Sequence, residues 1–83
     1  MEKYPVSGRC VFTKTVDIVA FKRDLNFELM QHEVKEATVN GAHNSIIVVF
    51  ENAYGKHDLE ASHLAAEAVT KKHNGKYEKI IYQ

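Results

Sequence analysis

Tryptophan is absent from these 83 residues, proline and cysteine occur once each, glycine four times, and eleven acidic side chains balance eleven basic ones. Each shortage excludes something. A lone Cys10 cannot make an internal disulfide framework, and no apolar leader follows Met1-Glu2-Lys3, so a reducing, cytoplasmic setting is expected. Zero formal charge gives no global field to draw the chain onto nucleic acid or an anionic membrane. No apolar stretch approaches the ~20 residues that cross a bilayer, so no membrane partner is expected. No convergent acid, base, nucleophile or ligand set stands out, so no catalytic residue, metal site or cofactor is assigned. The chain is read as a non-enzyme.

What is present is the composition of an ordinary globular protein, 45% apolar and 27% charged. A single domain spanning 1–83 is expected. It lies near the low end of what one core stabilises alone, because small domains bury only ~60% of their unfolded surface. Burial against a partner therefore helps it more than it helps a large domain. Charge is also uneven along the chain: residues 1–23 hold five basic and two acidic groups, 24–60 two and seven, and 61–83 four and two. Such blocks either make complementary patches in an oligomer or neutralise one another within the fold.

The most telling segment is the unbroken run Ile46-Ile47-Val48-Val49-Phe50. A strand that alternates hides one face, whereas an unbroken run asks for cover on both, from a helical layer or another copy of the chain. Upstream, Tyr4, Val6, Cys10 and Phe12 alternate with Pro5, Ser7, Arg9, Val11 and Thr13, with Gly8 as a gap, as in a half-buried strand, and Pro5 suits its start. Val16, Ile18 and Ala20 continue the alternation, so 16–22 reads as a second strand or an extension of the first. The segment 26–38 is open to two readings. Phe27, Met30, Val34 and Ala37 share a helical face with Asn26 as cap and Asn40-Gly41 as stop, yet Asn40-Gly41 is also a hairpin signal that makes 32–39 an antiparallel strand.

Residues 58–73 carry firmer helix signals: Asp58 as N-cap, Lys71, Lys72 and His73 in the last turn, and Asn74-Gly75 as a left-handed stop. Leu59, Ala61, Leu64, Ala65, Ala66, Ala68 and Val69 form a wide apolar arc rich in alanine, and Glu60, His63, Glu67, Thr70 and Lys71 form the polar stripe. Tyr77 to Tyr82 has strand composition. The expected fold is α+β: a small, mostly antiparallel sheet with central strand 45–51 and C-terminal strand 77–82, packed against helix 58–73, with 26–38 as a second helix on one reading.

Five groups of residues bear on function. Glu60, His63 and Glu67 fall on one helical face, but without a close ligand pair a solvated face is expected there, and no metal. The loop Asn52-Ala53-Tyr54-Gly55-Lys56-His57 precedes a helix N-terminus where anions can bind, but a single glycine makes no phosphate loop, and Asp58 competes for the free N–H groups. Lys71, Lys72, Lys76 and Lys79, beside Tyr77 and Tyr82, are the candidate nucleic-acid contacts, provided they converge on one surface. Cys10, in phase with Val6 and Phe12, reads as a buried structural thiol. The leading expectation is a protein-protein interaction module, an accessory adaptor or inhibitor of a larger complex such as mobile elements and phages encode. It would act on a protein partner or a second copy through the strand edge at Tyr77, Lys79, Ile81 and Tyr82. Nucleic-acid binding through the basic C-terminal end is the alternative.

Overall fold

The computed structural model of this chain, which describes residues 6–80, splits the apolar run by parity: Ile46, Val48 and Phe50 are buried, Ile47 and Val49 only half-buried. The elements are β1 (Ser7–Phe12), α1 (Ile18–Gln31), β2 (Thr38–Ala42), β3 (Ser45–Val49), α2 (Gly55–Lys72) and β4 (Gly75–Ile80). They form a four-stranded antiparallel sheet in the order β2-β3-β1-β4. The βαββαβ order, with each helix crossing over a strand inserted between the two it connects, is the split β-α-β arrangement. That class hosts many unrelated functions, so function has to come from the site.

One continuous core lies between the sheet and the two helices. It joins Cys10, Phe12, Ile46 and Val48 to Phe21, Leu25 and Leu29 of α1 and to Leu59, Ala61, Ala65, Ala66 and Val69 of α2. Among the described residues no helix lies on the opposite face. Arg9 lies between Ile47 and Glu78, and Val11 between Ser45 and Lys76, while Val11 is 45% exposed. The described residues thus cover one side of the central strand and leave the other half open, where the sequence run asked for cover on both.

The strand reading at 16–22 is corrected, because helix α1 begins there. Asp17 accepts hydrogen bonds from the Val19 and Ala20 N–H groups, both at 3.1 Å, which satisfies two of the donors a helix start leaves orphaned. Phe21, Leu25 and Leu29 then fall at i, i+4 and i+8 on the buried side. The 26–38 helix shrinks to its first turns for the same reason: Phe27 and Met30 are 59% and 67% exposed, and Asn26 caps nothing but accepts from the Ala37 N–H at 3.3 Å. The helix is closed by a Schellman motif. Glu33 takes φ 61°, its N–H bonds Met30 O, and Val34 N–H bonds Leu29 O at 2.9 Å, with Val34 and Leu29 both buried.

Of the competing strand at 32–39, only the last two residues pair, because β2 starts at Thr38. Asn40-Gly41 lies inside β2, and the hairpin turns at His43-Asn44, where His43 takes φ 60° and Ala42 faces Ser45. The expected helix at 58–73 starts earlier, at Gly55, whose φ of 81° turns the chain out of the preceding loop. Asp58 is therefore in the first turn rather than at the cap, and its Oδ2 accepts from the Tyr54 N–H at 3.1 Å. Its stop is as expected, with Asn74 at φ 65°. The last strand is described from Gly75 to Ile80, while Tyr4, Pro5, Ile81 and Tyr82 lie outside the described residues. Among the described residues no helix is long and apolar enough to cross a membrane.

Candidate interaction groove

Helix α2 lies about its axis differently from the arc read in the sequence. Leu64 is 62% exposed and Ala68 is also exposed, whereas Ser62, His63 and Thr70 are buried. Polar side chains tolerate that position because each finds a partner. Ser62 Oγ donates to Asp58 O at 2.7 Å, and Thr70 Oγ1 bonds to Ala66 O at 2.6 Å and to Cys10 Sγ at 3.2 Å. The alanines beside them let α2 settle against β1 and β4, which carries Leu64 outward over the sheet edge.

Tyr77 anchors that edge. It lies on the helix side of β4, opposite Cys10, and its ring crosses Gly8 of β1 so closely that a Cβ there would collide with the phenol. The Tyr77 hydroxyl meets His63 Nδ1 at 2.5 Å, and the imidazole stands edge-to-face against Phe50 with centroids 5.0 Å apart. Burial first, then the nearby Cys10 and Glu67, pushes the Tyr77 pKa far upward, so the phenol keeps its proton. The hydroxyl and Nδ1 share one hydrogen bond, whose direction follows the imidazole tautomer. Cys10 is likewise pushed up, to about 11, chiefly by burial, with the Thr70 hydrogen bond opposing. It is a free thiol packed in the core.

Outside this anchor runs a groove of about 280 Å³, lined by Glu60, His63, Leu64, Glu67 and Lys79. Its carboxylates already have partners one turn away along the helix, Lys56 with Glu60 at 4.0 Å and Lys71 with Glu67 at 3.3 Å. Lys79 makes no ion pair among the described residues. Strand β4 pairs with β1 on one side and with no described strand on the other, so its outward N–H and C=O groups border this groove.

The sequence candidates therefore divide. Glu60, His63, Glu67, Tyr77 and Lys79 come together here, although His63 points into the protein, so the expected solvated face is only partly one. Among the described residues no three His, Cys, Asp or Glu side chains are grouped to hold a metal ion. The four lysines do not share a surface. Lys71 pairs with Glu67, Lys72 reaches Asp24 at 3.4 Å, Lys76 lies beside Val11 on the open sheet face, and Lys79 lines the groove. Ile81 and Tyr82 lie outside the described residues.

The sequence reading missed a hub joining the two helices. His73 caps α2 and its Nε2 meets Asp24 Oδ2 of α1 at 2.9 Å, while Phe21 stands edge-on to the imidazole. His73 first, then Lys72 and Arg23, holds the Asp24 carboxyl below its usual range against a smaller opposing effect of burial. Forty-nine residues separate the pair, which no local pattern reveals. Three larger hollows lie elsewhere: two of about 520 Å³, one around Thr13–Asp17 and Lys72–Asn74 and one around Asn26, Met30 and Val34, which no strand residue lines, and one of about 320 Å³ beside β2, lined by Thr38, Val39 and Asn40 among others. Comparison with protein-family models, with curated proteins and with solved structures finds no match.

Proposed function

We propose that this chain is a non-catalytic protein-interaction module, an adaptor or inhibitor that takes up an extended segment of a protein partner as an additional strand on β4, beside α2. The observation that carries this reading is the juxtaposition of an outer strand edge with the exposed side of a helix that holds Leu64 over it. Strand addition uses main-chain hydrogen bonds for affinity and alternate side-chain positions for selectivity. About half of the N–H and C=O groups of an outer strand face away from its neighbour. Each bond formed contributes a net ~0.5–1.5 kcal/mol, so backbone pairing alone binds weakly and an apolar contact on Leu64 has to add to it. Burial of Cys10 as a thiol and of Tyr77 as a phenol supports a binding role over a chemical one.

The test is to pan a randomised heptapeptide library against the folded protein and against Leu64→Glu. Leu64 is largely solvent-exposed, so the variant should keep its melting temperature. Peptides that bind the parent and lose about tenfold or more on the variant support the groove. Peptides that bind both equally, or a library without binders, contradict it.

A further inference from the structure

We propose that the strand taken up beside β4 is β4 of a second copy of this chain, paired antiparallel about a two-fold axis at Tyr77, so that two four-stranded sheets join into one. This rests on the strand-addition reading and names the occupant. A chain of zero formal charge does not repel its own copy, and a domain this small gains stability from burial against one. Lys76 and Glu78, at the registers of Val11 and Arg9 on the open sheet side, are both exposed. Neither makes an ion pair among the described residues.

Symmetry restricts the register. Residues opposite each other in an antiparallel pair point to the same face of the sheet, so a two-fold axis perpendicular to it sets one residue of β4 against itself. At Lys76, Glu78 or Lys79 the axis places a like charge directly opposite its own copy, which is destabilising. At Gly75 or Ile80 it lies at an end of the strand and pairs only part of it. At Tyr77 it pairs residues 75–79 of the two copies, sets Lys76 opposite Glu78 at both symmetric positions, and leaves Lys79 opposite Gly75, which has no side chain to crowd it. Glu78 then stands between Arg9 of its own chain and Lys76 of the copy. The two phenols do not collide at the axis, because each crosses Gly8 of its own β1, away from the outer edge. Both helical layers stay on one side of the joined sheet, so the exposed Leu64 faces α2 of the copy.

Sedimentation equilibrium from micromolar to millimolar concentration, on the parent and on charge-reversed variants, tests this. The parent should show a monomer–dimer equilibrium. Lys76→Glu or Glu78→Lys alone places like charges opposite each other at both symmetric positions and should weaken the dimer about tenfold or more at low salt, an effect that narrows as salt rises. The double variant, and an equimolar mixture of the two single variants, bring opposite charges together again and should return to within about threefold of the parent. Both side chains are exposed, so all variants should keep the parent's melting temperature. A dimer indifferent to the single reversals, or one that neither combination restores, overturns the pairing about Tyr77. A parent that stays monomeric while library peptides bind it and lose affinity on Leu64→Glu overturns the second copy and leaves the groove standing. A monomeric parent whose peptides are indifferent to Leu64→Glu removes the groove, and the inference with it.

Discussion

The two edges of the sheet end in different surroundings. Strand β2 is approached through polar ties: Thr38 Oγ1 bonds Glu51, Asn52 Nδ2 donates to Glu36 O at 3.0 Å, and the adjoining hollow is lined by Lys22, Glu36, Asn40, Glu51 and Asn52 among others. Strand β4 is backed by α2, with His63 and Tyr77 locked beneath and Leu64 standing free above. Both edges expose backbone, and the hollow at β2 holds Val39 and Ala37 among mostly polar side chains, whereas the groove at β4 sets the largely exposed Leu64 beside the edge. An open edge is a template for any strand, and the neighbouring helix is what makes it selective.

The sharpest way to break the contrast is to move Tyr77. In Gly8→Ala the new Cβ occupies space held by the phenol, so the ring has to swing from His63 or the strands have to part. Overpacking of this kind costs about 1–3 kcal/mol, and urea unfolding should show that loss. Binding of library-selected peptides should fall with it, because the floor of the groove is disturbed. A substitution that is neutral in both respects removes Tyr77 as the anchor.

A smaller effect distinguishes the helix junction from either edge. Asp24 has a lowered folded-state pKa, so its ionised form contributes stability that is present above the unfolded carboxyl value and is lost as pH falls through the folded value. The melting temperature of the parent should therefore drop on acidification below about pH 4 by more than that of Asp24→Asn. Peptide binding at neutral pH should be the same for both. Equal acid limbs in the two proteins would show that the His73–Asp24 contact contributes no stability.

Much of this architecture was legible in the sequence, and the failures share a cause. Strands at β1 and β3, the helix stop at Asn74-Gly75 and the strand after it follow from alternation, β-branched content and left-handed turn chemistry, all of which act within a few residues. Alternation at 16–22 misled, since Val16, Ile18 and Ala20 fit period two while the Asp17 cap and Phe21, Leu25 and Leu29 commit the chain to a helix. The end of α1 was invisible because Glu33 adopts the left-handed conformation without being glycine or asparagine, held there by buried Val34 and Leu29.

The polar stripe of α2 was misread because His63 and Thr70 are polar yet buried, satisfied by Tyr77 and by Cys10 and Ala66. Such partners come from other strands and other turns, so no local spacing announces them. Of the site, Lys79 and the strand edge were nameable in advance, whereas Leu64 was assigned to the core it does not join.

Amide hydrogen exchange, followed by NMR with and without a library-selected peptide, tests most directly the claim that β4 and not β2 is the binding edge. In the free monomer the alternate amides of β4 that face away from β1, and those of β2 that face away from β3, should both exchange rapidly. On binding, the β4 set should slow by tenfold or more while the β2 set keeps its free rates. Slowing at β2, or at neither edge while the peptide is bound, would contradict the account.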